Sequence, residues 1–149
     1  MNIFRNRKIR IRVAGIVTNY RKEILFIRQS KKNHSYWLLP GGGIEKGESA
    51  LGALKRELKE ELGLIIKKAE FLLLNESIGP KGERHIIQLV YKVDVANNYP
   101  ILNLKEKSIL EFKYFSKKDM KDIEIRPDIK NYLLKGKFSK SVSIESKWI

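Results

Sequence analysis

Between residues 8 and 17 (KIRIRVAGIV) basic and apolar residues alternate, and the run then turns wholly apolar. A period of two that closes into an apolar run predicts a strand entering a core. Residues 19–22 (NYRK) read as a turn and residues 23–28 (EILFIR) as a second strand, so the two are expected to form a hairpin. A polar loop over 31–35 leads to a short strand at 36–39, which stops at Pro40-Gly41-Gly42-Gly43, and 44–47 is a turn. The strongest helix signal lies at 49–62, where Leu51, Leu54, Leu58 and Leu62 recur at three and four and predict the core stripe, with Gly63 just past the end. Strands are predicted at 67–76 and 84–95 around a Gly/Pro/Lys loop at 79–82. An irregular stretch (97–107), a short strand (112–115) and short helices at 116–122 and 127–134 follow, and the pattern fades from Gly136 onward. Strands on both sides of one strong helix predict a mixed α/β or α+β sandwich.

The length of 149 residues suits one domain over 1–149, with 136–149 as a tail whose order the pattern does not decide. With 42% hydrophobic and 32% charged residues, the class is soluble and globular. Apolar stretches such as Phe71-Leu72-Leu73-Leu74 fall far short of the ~20 residues that span a bilayer. No secretory core follows the basic N-terminus, so the expected location is the cytoplasm, with no membrane partner. There is no cysteine, which excludes disulfides, thiolate catalysis and Cys-based zinc sites. The net charge of +14 attracts polyanions, but the lysines are spread along the chain and do not choose a substrate.

Glu57, Glu60 and Glu61 stand at i, i+3 and i+4 of the predicted helix and share a face beside the leucine stripe. Like charges at this spacing cost a helix a few tenths of a kcal/mol, roughly, and two of them sit in the last turn, where the helix dipole disfavours anions. A hard divalent cation reverses that cost, because Mg²⁺ and Mn²⁺ prefer carboxylate oxygens, water and substrate phosphates. Alone, the cluster reads more readily as a solvated acidic face, because Glu is a good helix former. Gly41-Gly42-Gly43, which permits close approach of backbone to a phosphate or metal, leads directly into it. Glu48, two turns from Arg56, can pair with that arginine and tie the glycine segment to the helix.

Taken together these residues read Gly42-x5-Glu48-x7-Arg56-Glu57-Leu58-x-Glu60-Glu61-x-Gly63-Leu64. The segment resembles the 23-residue signature of the Nudix hydrolase (MutT-like) family at every defined position. A chance match is on the order of 10⁻⁹ per start point at average composition. The resemblance implies an α+β fold, a Nudix-type α/β/α sandwich with a mixed sheet and a loop-helix-loop. It implies metal-dependent cleavage of a nucleoside diphosphate linked to another moiety X. It also implies Glu57 and Glu61 as principal metal ligands, with Glu60 as a third or water-mediated one and a carbonyl near Gly41 or Gly42 as a further ligand. Arg56 and Glu48 are implied as support for the catalytic set. The general base is expected at Glu111, with Glu106 and Glu83 as alternatives.

X is not named by the signature. Arg10, Arg12, Arg28, Tyr36, Trp37 and Arg84 are candidates for binding phosphates or stacking on a base, with Trp37 equally placed for the core. His85 has no partner at metal spacing and reads as a hydrogen-bonding strand residue. Three functions stay open: hydrolysis of a nucleoside triphosphate, ADP-ribose or dinucleoside polyphosphate; removal of pyrophosphate from RNA 5′ ends, aided by the basic charge; and a non-catalytic nucleotide-binding regulator. Monomer and homodimer are both compatible with the sequence.

Overall fold

A computed structural model describes residues 8–97, 99–105, 108–136, 138 and 142–146, the last segment as backbone. Among the described residues, eight strands and three helices follow in the order β1 (Arg10–Val17), β2 (Ile24–Lys31), β3 (His34–Leu38), β4 (Gly41–Gly43), α1 (Ala50–Leu62), β5 (Ile66–Ile78), β6 (His85–Val95), β7 (Ile109–Phe115), α2 (Lys117–Met120), α3 (Lys130–Lys135) and β8 (Val142–Ser146). They build a five-stranded mixed sheet, β4-β1-β6-β5-β8, and a three-stranded antiparallel sheet, β3-β2-β7.

The two strands with continuous apolar runs explain the layering. In β1, Val13 and Val17 pack into one core and Ala14 and Ile16 into another; in β2, Leu25 and Ile27 divide from Ile24 and Phe26 in the same way. Strands buried on both faces need apolar residues at every position, which is why these runs lose their alternation. The first core holds α1 through Leu54, Leu58 and Leu62, and the second holds α2 and α3 through Met120 and Leu133. The sheets thus lie between α1 on one side and the short helices on the other, an α+β architecture with a mixed sheet. Among the described residues no helix is long and apolar enough to cross a membrane.

Several local expectations are corrected. β1 and β2 do not form a hairpin: beyond one bridge, Thr18 to Ile24, they separate into different sheets. The turn between them is closed by Asn19, whose Oδ1 accepts from the amides of Arg21 and Glu23, both at 3.0 Å. Both edges of each strand are then taken elsewhere, by β4 and β6 for β1 and by β3 and β7 for β2. Alternation in a sequence reports faces, not edges. The polar stretch 31–35 is instead a tight hairpin. Its two turn residues, Lys32 and Asn33, have φ of 51° and 62°, as a two-residue turn with matching twist requires. Leu51 is 39% exposed, and Ala53 takes its place in the core beside Leu54. The short helices are trimmed to Lys117–Met120 and Lys130–Lys135, and within the tail Val142–Ser146 pairs in parallel with β5.

The glycine segment is a strand rather than a loop, pairing antiparallel with β1 from Arg12–Gly43 to Ala14–Gly41. A Cβ on Gly41 would stand 1.9 Å from the carbonyl oxygen of Val13, so glycine alone allows the two backbones to lie this close. Gly41→Ala is therefore expected to lower unfolding stability by at least about 1–3 kcal/mol, read from urea denaturation; an unchanged midpoint would refute the close packing.

Candidate active site

Helix α1 starts at Ser49, whose hydroxyl accepts from the amide of Gly52 at 3.0 Å, and ends at Gly63 in the left-handed region. With Leu54, Leu58 and Leu62 locked in the core, the rotation of the glutamates is set. Glu57 and Glu61 lie one turn apart on the same line, and Glu60 is rotated from Glu61 by roughly 100°. Burial follows: the side chain of Glu57 is 16% exposed and that of Glu60 58%, while Glu61 is buried.

Arg56 ties this helix to the segment before it. Its Nε donates to Glu48 Oε2 at 2.7 Å and its Nη2 to Glu48 Oε1 at 2.9 Å, a two-pronged pair. Nη2 also donates to the carbonyl of Gly43 at 3.2 Å, and Nη1 donates to Glu57 Oε1 at 2.9 Å and to Glu60 Oε2 at 3.3 Å. These carboxylates push the guanidinium pKa up, Glu48 most of all. In return the Arg56 hydrogen bonds hold the Glu48 carboxyl down at about 2, from an ordinary value of 4.5, with the Glu45 amide helping. The glycine strand fits round Glu57: a Cβ on Gly42 would stand 2.4 Å from the Glu57 carboxyl carbon. The amide of Gly41 donates to Glu61 Oε2 at 3.3 Å.

Glu57 and Glu61 line one side of a cavity of ≈ 260 Å³, together with Gly41, Gly42 and Gly43. Arg10, Arg12, Lys31 and Arg84 line it as well, with Gln29 and Tyr36 between, and Ile11 and Ile86 as the apolar part. Arg12 as a whole is only half-buried, yet its Nε and Nη2 are closed off from solvent and have no hydrogen-bond partner among the described residues. Burial lowers its pKa, while Glu61 and then Glu57 pull it back up. A buried donor without a partner costs about 1–3 kcal/mol, and more when charged. A cavity with carboxylates opposed to guanidinium groups suits a ligand that is itself an anion bridged by a cation.

The oxygen donors fit a hard divalent cation. Glu57 and Glu61 would hold it, with backbone carbonyls of the glycine strand at hand. Among the described residues no group of three or more acidic or histidine side chains is gathered for a metal. Glu60 does not line the cavity; it faces outward beside Arg56.

The remaining candidates separate. Arg10, Arg12, Arg84 and Tyr36 reach the cavity; Arg28 and Trp37 do not. Arg28 and Trp37 are paired across β2 and β3, on the face opposite Gln29 and Tyr36, and Trp37 packs edge-on against Phe115 with ring centres 4.7 Å apart. Glu111 is on that far face too, where its Oε2 accepts from Arg28 Nη2 at 2.9 Å. Glu83 turns back into its own loop and accepts from the amide of Lys81 at 2.8 Å, and Glu106 lies outside the described residues. His85 pairs with Glu76 at 2.8 Å between β6 and β5. Lys31 and Gln29 line the cavity without having been singled out from sequence. Continuing the alternation of Leu25 and Ile27 by two steps would have placed both on the same face.

Fold and cavity define a compact mixed-sheet protein class in which one acidic helix and a glycine strand meet a basic wall. Residues 8–135 match the family model of the NUDIX domain, and the chain belongs to that family. The fold is similar to the crystal structure of a MutT NUDIX hydrolase from Burkholderia pseudomallei, with a TM-score of 0.67 at 24% identity, covering 76% of this chain and 87% of that one. In sequence, the chain is 35% identical over 85 residues to an ADP-ribose pyrophosphatase of Methanocaldococcus jannaschii, covering 57% of this chain and 50% of that protein. It is 41% identical over 63 residues to an RNA pyrophosphohydrolase of Ruthia magnifica subsp. Calyptogena magnifica, covering 42% of this chain and 34% of that protein. The chain thus spans half or less of the length of these curated relatives.

The Glu48 pKa yields a prediction with a definite sign. A carboxyl held below its ordinary value stabilises the fold above that value and loses the contribution as pH falls through the folded one. The thermal midpoint of the wild type should therefore exceed that of Glu48→Gln at neutral pH, and the gap should close between pH 4.5 and about 2. A gap that stays constant over this range would exclude the ion pair as its source.

Proposed function

We propose that this protein hydrolyses a phosphoric anhydride bond in a nucleoside diphosphate linked to X, using Mg²⁺ or Mn²⁺ held by Glu57 and Glu61. The observation that carries this reading is that those two carboxylates line one cavity together with Arg10, Arg12, Lys31 and Arg84. Family membership and the named activities of the relatives support the same reaction class.

A bound divalent cation supplies charge neutralisation on the phosphates and a lowered pKa for water. The protein's own residues do the rest. The arginines and Lys31 take phosphate oxygens and offset the charge that grows on them as the bridging P–O bond breaks and water forms the new one. Glu57 and Glu61 are the only carboxylates lining the cavity among the described residues, so the proton released by water is assigned to one of them. Arg56 keeps Glu57 turned inward, and the amide of Gly41 does the same for Glu61. Glu48 fixes Arg56 in turn.

A second reading, removal of pyrophosphate from RNA 5′ ends, draws on the net charge of +14. It predicts activity that falls steeply with salt and prefers RNA over free nucleotide.

Glu57→Gln and Glu61→Gln are each expected to lower Mg²⁺-dependent turnover by about 100-fold or more, with circular dichroism and melting unchanged. Phosphate release from a nucleotide panel with Mg²⁺ and Mn²⁺, with products identified, is the measurement. Full turnover in both variants would sink the assignment.

A further inference from the structure

We propose that Asn103 is a positioning residue for Glu61: from the segment after β6 it closes the C-terminal end of α1, and so holds the last turn of that helix, with the Glu61 carboxylate on it, in place for a divalent cation. This rests on the reading that Glu57 and Glu61 hold such a cation.

The last four carbonyls of an α-helix have no partner within it. In α1 they belong to Lys59, Glu60, Glu61 and Leu62. The left-handed turn at Gly63 takes the first, its amide donating to the Lys59 carbonyl at 2.9 Å, while the amide of Leu64 reaches back to the Leu58 carbonyl at 3.1 Å. The other three are taken by a segment far along the chain. Asn103 Nδ2 donates to the Glu60 carbonyl at 3.0 Å, the Asn103 backbone amide to the Glu61 carbonyl at 3.1 Å, and the Ile101 amide to the Leu62 carbonyl at 2.9 Å. Helix ends ordinarily leave some of these groups to water, and they fray. Here each of the four has a donor from the protein.

The donors are themselves fixed. Leu102, between them, packs against the first core, whereas Ile101 and Leu104 are exposed and do not anchor the segment. The Oδ1 of Asn103 accepts from the amide of Lys105 at 3.1 Å, a side-chain turn that leaves Nδ2 and the backbone amide directed at α1. Every polar group of this side chain is thus engaged, one half in making the turn and the other in closing the helix.

Two separate devices then hold the two carboxylates. Glu57 is held by Arg56 Nη1 at 2.9 Å. Glu61 is held at both ends: its Oε2 accepts from the amide of Gly41 at 3.3 Å, and its backbone carbonyl accepts from the amide of Asn103. The closure also answers an electrostatic cost. Glu60 and Glu61 sit at the negative end of the helix dipole, and donors placed on the terminal carbonyls offset that field where it is strongest. Without the Asn103 side chain the Glu60 carbonyl loses its donor and the turn that aims the Asn103 amide is gone. The last turn loosens, and Glu61 moves with it.

The test is Mn²⁺ binding without substrate, read from the electron paramagnetic resonance signal of free Mn²⁺, with melting followed by circular dichroism. Asn103→Ser keeps an oxygen that can accept from the Lys105 amide, but its hydroxyl is too short to reach the Glu60 carbonyl; Asn103→Ala removes both bonds. Each should bind Mn²⁺ about 10-fold more weakly than the wild type, the lower end of what groups that orient metal ligands carry, with melting little changed. Unchanged Mn²⁺ affinity in Asn103→Ser overturns the proposal whatever Asn103→Ala does, because the turn alone then suffices. A fall in melting temperature with unchanged affinity overturns it as well, since that marks a cap serving stability only. Should Asn103→Ser be unfolded at the measuring temperature, Asn103→Asp takes its place: it keeps the acceptor, lacks the donor, and adds a negative charge that by itself would tighten cation binding, so weaker binding there supports the role and equal or tighter binding overturns it. Glu57→Gln and Glu61→Gln are measured alongside. If both bind Mn²⁺ as the wild type does, the metal reading fails and this inference with it; if they lose Mn²⁺ and Asn103→Ser does not, only the role of Asn103 fails.

Discussion

The site depends on the guanidinium of Arg56. It meets the two oxygens of Glu48, the carbonyl of Gly43 and the carboxylate of Glu57 within 2.7–3.2 Å. One planar, fixed-geometry cation thereby joins the segment before the helix, the glycine strand and the helix itself. The pairing with Glu48 is two-pronged and only a quarter or less exposed, with side chains 24% and 19% accessible. It is therefore worth more than a surface ion pair of the same length. Glu57 would otherwise be a flexible side chain beside another carboxylate; held by Arg56, it is turned toward the cavity that Glu61 also lines.

The glycine strand answers to the same constraint. Gly41 lies where a Cβ would meet the Val13 carbonyl, and Gly42 where a Cβ would meet the Glu57 carboxylate. The first absence of a side chain lets β4 lie on β1. The second lets the acidic helix come down on β4. Because β1 also carries Arg10 and Arg12, this close packing brings the carboxylates of α1 and the cations of β1 around one cavity. Opposed charges so placed, with ligand space between them, suit an anion bridged by a divalent cation.

Much of this was legible along the chain. The helix, its Ser49 start and Gly63 end, and the pairing of Arg56 with Glu48 follow from local rules of capping and spacing. The inward turn of Glu57 and Glu61 and the outward turn of Glu60 were not separable. All three sit within one turn and a third, and only the depth to which Leu54, Leu58 and Leu62 sink decides which is buried. Leu51 shows the same limit: it continues the heptad-like stripe but is largely exposed, and its neighbours Ala50 and Ala53 pack against the core instead. Arg28, Trp37 and Glu111 could be listed as basic, aromatic and acidic candidates, yet strand parity puts them on the face away from the cavity.

By itself, then, the sequence determined what lies within one element or spans a short turn: the order of elements, the acidic helix, the glycine segment and the family they resemble. Those features rest on periodicity, caps and residue spacing, which are local. Only the tertiary structure decided that β1 leaves β2 for β4 and β6, that Val142–Ser146 joins β5, and that Lys31 stands in one wall with Arg10, Arg12 and Arg84. Those outcomes depend on which strand edges pair and which faces close over one another. A chain's alternation of polar and apolar residues marks a face for burial but leaves its partner unnamed.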